Sequence, residues 1–178
     1  MNRERLPYEL EASWKEKDMA GGETVDAQVL IMRTNGCCWA KAGNGGCTMC
    51  GYRSASLTGV TEEDLNKQID LALSKYKGEP FVKIYTSGSF FDTNEIPESI
   101  RERIFSEYSG CKRILVESRP EFLTSDLVST LPGTLTVALG MESSDEEVLR
   151  TCINKGFTAA QSKAAGELLK DGGIGVRT

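Results

Sequence analysis

Short apolar runs alternate with amphipathic stretches along this chain, and that rhythm predicts its architecture. Residues 27–32 (A-Q-V-L-I-M) are an apolar run of strand length. Residues 61–64 (T-E-E-D) then open a helix, with Thr61 as N-cap and acids in the first turn; Leu65, Ile69, Leu71, Ala72, Leu73 and Tyr76 follow, and Gly78 ends it. A second strand is predicted over residues 81–85. Pro97 opens a second helix that carries Ile100, Ile104 and Phe105. A third strand covers residues 113–116, a helix 125–130 and a fourth strand 135–139. Two helical pieces, 146–152 and 159–169, flank Asn154-Lys155-Gly156-Phe157, and residues 174–178 read as the start of a fifth strand. Residues 1–23 are polar and carry Trp14 in a charged segment of helical character; they read as an N-terminal arm, with residues 24–178 as the core.

Short apolar strands separated by helices predict an α/β fold: four to five parallel strands with the helices packed outside, as in a partial TIM-like (β/α) barrel. Each strand is followed on its C-terminal side by a polar cluster. Thiols follow the first strand and Ser87-Gly88-Ser89 the second. E-S-R-P, with Glu117 and Arg119, follows the third, and G-M-E-S, with Glu142, follows the fourth. Barrels of this kind gather their chemistry at that end. Four loaded exits argue for one shared site.

Composition narrows the chemistry. The 178 residues suffice for one domain with a real core. Hydrophobic residues make up 39% and charged residues 26%, and no apolar run approaches the length of a membrane span. The first residues, M-N-R-E-R, are too polar for a secretory signal, so a cytoplasmic address with no membrane partner is expected. Net charge is −5 without a block of Lys or Arg, so the residues alone give no support for nucleic-acid binding. Histidine is absent, which removes Ser-His-Asp and Cys-His nucleophile pairs, His general bases and every His-containing zinc site.

What remains is sulfur. Cys37, Cys38, Cys47 and Cys50 lie in one glycine-rich stretch, residues 33–52, and a reducing compartment favours metal ligation over disulfides. A four-thiolate zinc site is one reading. Zinc ribbons, however, pair two C-x-x-C knuckles, and adjacent thiols rarely both ligate one tetrahedral ion without strain. A three-thiolate iron–sulfur site fits better, with Cys47, Cys50 and one of Cys37 or Cys38, and it leaves one iron open. Cys111 and Cys152 read as small buried thiols. The other clusters have plain readings too. T-S-G-S-F-F serves as a turn, Glu117 and Arg119 as a surface ion pair, and Asn154-Lys155-Gly156 as a helix C-cap with Gly156 left-handed.

Taken in order, the motifs resemble a known family. C-x9-C-x-x-C, E-S-R-P-E and G-M-E-S-S-D-E-E-V-L-R…I-N-K-G-F-T look like a radical S-adenosylmethionine (SAM) enzyme of the group allied to the elongator catalytic subunit. R-T-x-G-C-x-W…G-G-C-T-M-C-G-Y, Y-T-S-G-S-F-F-D and V-E-S-R-P-E-F are similar to the archaeosine-biosynthesis radical SAM family. The resemblance implies a 4Fe–4S cluster on Cys37, Cys47 and Cys50, Cys37 being preferred because it follows Gly36. It implies SAM contacts from Ser87, Gly88 and Ser89, with Glu117 and Arg119 facing the ribose and carboxylate of SAM. Glu142, Asn154 and Lys155 would lie near SAM or substrate. The implied activity is C–N bond cleavage on tRNA, converting a lysine adduct of a 7-deazaguanine base to a formamidine. A separate enzyme installs the lysine and acts as partner; no residue names the electron donor. The chain stops where a fifth strand begins, as expected of the N-terminal portion of a longer core.

Overall fold

The computed structural model describes residues 5–178. One sheet of six strands runs in sequence order, from β1 to β6. β1 (Ala12–Ala20) and β2 (Glu23–Ile31) form an antiparallel hairpin. From β2 onward every pairing is parallel, through β3 (Phe81–Tyr85), β4 (Arg113–Glu117), β5 (Leu135–Ala138) and β6 (Gly175–Arg177). Helices α1 (Glu62–Lys75), α2 (Glu98–Glu107), α3 (Ser125–Thr130) and α4 (Ala159–Asp171) make the four crossovers. Sequential strands joined by crossovers of one hand put every helix on the same face. The result is an open, partial (β/α) barrel.

Alternation along the strands sorts the side chains. Leu30, Val82, Ile84, Ile114, Val116, Leu135 and Val137 belong to the large core beneath the helices, where they meet Leu65, Ile69, Ile100, Ile104 and Leu169. The opposite face carries a smaller apolar cluster of Ala20, Ala27, Phe81 and Leu115. Local chemistry fixes the helix starts. Thr61 and Asp64 cap α1 reciprocally, and Thr158 and Gln161 do the same for α4. Among the described residues no helix is long and apolar enough to cross a membrane.

The N-terminal arm departs from expectation. Its first four residues lie outside those described, but residues 12–20, with Trp14, form β1 instead of a helical segment. Gly21 and Gly22, both at positive φ (62° and 82°), make the two-residue turn that pairs Ala20 with Glu23. The inner face of β1 carries Glu16 and Asp18, and both pair with Lys83 of β3. The Lys83 side chain is only 5% exposed. Burial disfavours its ammonium, but the two carboxylates more than offset this and hold its pKa above the ordinary lysine value. Lys83→Met leaves two partly buried carboxylates unpaired. The expected loss is about 2–3 kcal/mol, the low end for a broken buried pair because both acids retain some solvent. Thermal melting should fall by roughly 5–10 °C; an unchanged melt would show that the pairs add nothing.

Candidate active site at the strand exits

The cysteine loop leaves β2 and returns to the start of α1, and polar side chains close it at its base. Asn35 donates to the Val60 carbonyl at 2.9 Å and accepts from the Val60 amide at 3.0 Å, while the Leu57 amide donates to the Thr34 carbonyl at 3.0 Å. Inside that base, left-handed Gly36, Gly43, Gly45 and Gly46 turn the chain back on itself. The Cys50 amide donates to the Cys47 carbonyl at 3.2 Å, so the C-x-x-C step is a single tight turn.

Cys37, Cys47 and Cys50 line a cavity of about 250 Å3. The later strand exits supply its other walls. Thr86, Ser87 and Gly88 come from the end of β3, and Glu117 and Arg119 from the end of β4. Glu142, after β5, and Lys155 line it as well. The four exits singled out in the sequence therefore converge. A larger cavity of about 640 Å3 lies elsewhere, walled in part by Trp39, Glu146, Arg150 and Phe157. It has no thiol in its lining, so its size does not make it the chemical centre.

Two expected site residues stand outside the thiol-lined cavity. Ser89 is 1% exposed, and its hydroxyl is 2.8 Å from that of Ser118. Asn154 instead lines the larger cavity and bonds to the cysteine loop. Cys38, next to Cys37, does not line that cavity either, and burial pushes its thiol up to about 11. Cys111 is buried as expected, whereas Cys152 is exposed, a correction to its reading as a core thiol. Cys152 falls in the turn Val148–Ile153, where only Leu149 and Ile153 are buried.

Glu117 and Arg119 do not form the surface pair that their spacing allowed. Arg119 is buried; it bonds Glu121 at 2.5 Å and donates to the Lys155 carbonyl at 3.0 Å. Its guanidinium lies 5.0 Å from the Phe157 ring centre and 5.7 Å from that of Trp39. The half-buried Glu117 carboxylate makes no hydrogen bond or ion pair among the described residues. Burial pushes its pKa up, and Lys155 opposes the shift. Lys155 instead pairs with Glu142 at 2.6 Å. Glu142 itself adopts φ 66°, an uncommon backbone for a non-glycine residue and one found preferentially at functional sites.

Two residues at these exits carry no signal of their own in the sequence. Glu95 is 1% exposed and accepts hydrogen bonds from the Thr34 hydroxyl (2.5 Å), the Gly88 amide (3.0 Å) and the Ser89 amide (2.7 Å). It thereby ties the β2 exit to the β3 exit. Burial pushes its carboxyl above the ordinary range, and the Thr34 hydroxyl and backbone donors oppose the shift. Thr86, 3% exposed, is the second; its hydroxyl is the buried side-chain polar atom left without a partner among the described residues. A buried hydroxyl facing a cavity without a partner is suited to a ligand's polar group.

The donor set of the cavity is three thiols with a hydroxyl and a carboxylate beside them. The thiols, the Thr86 hydroxyl and the Glu117 carboxylate share one cavity, and each is free to bind. Among the described residues no three Cys, Asp or Glu side chains converge on a point that could hold a single metal ion. Four-thiolate zinc needs its sulfurs roughly 4 Å apart. A cluster distributes its thiolates over separate irons.

No family model matches the chain. It is 37% identical to an uncharacterised protein of Methanocaldococcus jannaschii over 181 positions, which is 93% of this chain and 49% of the relative. It is 35% identical to archaeosine synthase subunit beta of Methanosarcina acetivorans, covering 93% of this chain and 51% of that protein. It is 32% identical to archaeosine synthase subunit beta of Thermococcus kodakarensis, covering 93% and 54%. The chain thus spans about half the length of the curated relatives it matches. Among solved structures it resembles a queuine lyase from Clostridium spiroforme bound to SAM and queuine, with a TM-score of 0.60 and 22% identity over 82% of this chain and 60% of that one. The likeness to the lyase establishes the fold alone; the similarity to archaeosine synthase subunit beta runs through nearly the whole of this chain.

Proposed function

We propose that this chain carries the cluster and SAM site of a radical SAM enzyme that acts in archaeosine-type tRNA modification. The observation that carries the reading is the convergence of Cys37, Cys47 and Cys50 with the polar exits of three further strands on one cavity. Similarity to two archaeosine synthase beta subunits, and the fold shared with a lyase that binds SAM, support it. The step proposed is C–N bond cleavage in the lysine adduct of a 7-deazaguanine base, which leaves a formamidine. The proposed partners are the tRNA and the enzyme that installs the lysine.

In this reading Cys37, Cys47 and Cys50 would hold a 4Fe–4S cluster, with SAM bound beside it. When bound, cluster and SAM supply one-electron cleavage of the sulfonium C–S bond; the protein's part is binding and orientation. Glu117, lacking a protein partner, accepts from the ribose hydroxyls, and Thr86 meets another polar atom of the ligand. Ser87 and Gly88 bring backbone close to the amino-acid end. Arg119 takes a different part from the one its motif implies. Its guanidinium is already engaged by Glu121 and the Lys155 carbonyl, so it sets the position of Lys155 instead of reaching for a carboxylate. Lys155 and Glu142 form the charged rim that faces SAM or substrate.

The test is anaerobic reconstitution of the full-length protein, with iron and sulfide quantified and 5′-deoxyadenosine measured after reduction with dithionite. A brown protein with about four irons per chain that cleaves SAM is the expected result. A colourless zinc protein would sink the proposal. Loss of archaeosine from tRNA after gene deletion, read by mass spectrometry, tests the substrate; unchanged tRNA would leave a different radical SAM reaction.

A further inference from the structure

The segment between β5 and α4 grips the cysteine loop from outside the cavity. Asn154 sits in the left-handed region (φ 54°, ψ 51°) at the end of the turn Val148–Ile153. Its side-chain amide donates to two loop carbonyls, Asn44 at 2.7 Å and Gly46 at 2.8 Å. Its own carbonyl accepts from the Trp39 indole N–H at 2.8 Å. Next to it, the Thr48 amide donates to the Ile153 carbonyl at 2.9 Å, and the Thr48 hydroxyl donates to the Cys152 carbonyl at 2.6 Å. The gripped positions bracket the thiols. Trp39 lies two residues after Cys37, Gly46 precedes Cys47, and Thr48 stands between Cys47 and Cys50.

The other side of the grip is steric. The Trp39 ring lies against Gly156, where an added Cβ would come within 2.4 Å of the ring. The Arg119 guanidinium lies over the Trp39 ring and over that of Phe157, and it donates to the Lys155 carbonyl. One turn of backbone therefore holds the loop on its outer side and delivers Lys155 to the cavity on its inner side.

We propose that Asn154 is a positioning residue, which holds the cysteine loop in its ligand-bearing conformation before metal arrives. The proposal rests on the cluster reading above. It replaces the part its motif implies, a contact with SAM or substrate, because the Asn154 amide is spent on Asn44 and Gly46. An exposed glycine-rich loop has many conformations to lose on binding a cluster; pre-forming it removes that cost from assembly.

The experiment uses Asn154→Gly and Asn154→Asp in the full-length protein. Glycine accepts the left-handed backbone, so it removes the side chain without straining the turn. Aspartate keeps the size but turns two donors into acceptors that face two carbonyls. Two readouts are taken: amide hydrogen exchange of residues 37–50 in metal-free protein, and chelator-driven loss of the reconstituted cluster with its electron paramagnetic resonance signal. For Asn154→Gly the melt should stay near wild type, while loop exchange and cluster loss each become at least about tenfold faster, the effect of losing two hydrogen bonds. Asn154→Asp should be worse, with a broadened resonance signal. Wild-type exchange and cluster retention in Asn154→Gly would overturn the proposal. Should wild-type protein take up no iron, the cluster reading fails, and loop exchange in the metal-free protein still decides whether Asn154 positions the loop.

Discussion

Cys37→Ala, Cys47→Ala and Cys50→Ala are each expected to yield a colourless protein that does not cleave SAM, whereas Cys38→Ala and Cys152→Ala should keep the cluster. The first three thiols line the cavity with the β3 and β4 exits, while Cys38 does not line it and Cys152 is exposed outside it. A three-thiolate site has no spare ligand, and histidine is absent from the chain. The loss should exceed the roughly 10–100-fold typical of changing an outer-shell partner. Iron and sulfide per chain and visible absorption after anaerobic reconstitution provide the measurement. Retention of a full cluster by Cys37→Ala together with loss in Cys38→Ala would reverse the ligand assignment. Retention by all three single variants would end the cluster reading.

The strands and helices were legible because their buried faces are apolar with clear periods. Residues 81–85 and 125–130 were placed at the bounds that the structure shows, and the capping signal at Thr61 marked the start of α1. β1 was not legible, for a specific reason. Its inner face should have advertised itself as an apolar alternation, but two of its inward positions are Glu16 and Asp18. Their partner, Lys83, lies 65 residues or more away and only the fold brings it near. The Gly21-Gly22 pair between two runs of equal length was the one signal of a hairpin.

The candidate site was legible where function required unusual residue types, and hidden where it required ordinary ones. Thiols, an S-G-S turn and charged residues at strand exits stand out in any sequence. Glu95 does not: an acid shortly before a helix start is commonplace, and nothing local shows that it is buried beneath the Ser87-Gly88-Ser89 turn. Thr86 is hidden for the same reason, since threonine at a strand end is ordinary and only its missing partner marks it. Asn154 reads from its motif as a contact to SAM or substrate. The side chain that looks available in a motif is committed to Asn44 and Gly46, some 110 residues back along the chain.

Gly88→Ala is expected to cut cluster loading more than tenfold, through a single methyl group. Gly88 does not have a positive φ, so its backbone is open to any residue, and the constraint is space. A Cβ built there comes 2.6 Å from Cys37 Cα, 2.8 Å from Cys37 Cβ and 2.7 Å from Glu95 Oε2. Two of the three are the body of a proposed cluster ligand, which cannot swing away as the end of a long side chain can. The third is the carboxylate that orders the turn carrying Gly88. The methyl must therefore push the Cys37 backbone from its place or break the Glu95 contacts with Gly88 and Ser89. Overpacking of this kind costs about 1–3 kcal/mol of stability. Displacing a ligand by even a few tenths of an ångström at a rigid three-point site should reduce iron incorporation more than tenfold, on the order of an outer-shell loss. Gly110→Ala is the matched control. Gly110 lacks a positive φ as well, and nothing lies within 4 Å of its added Cβ. Equal iron content in the two variants would show that the β3 exit does not press on Cys37, and that the loop's position is set by the Asn154 segment alone.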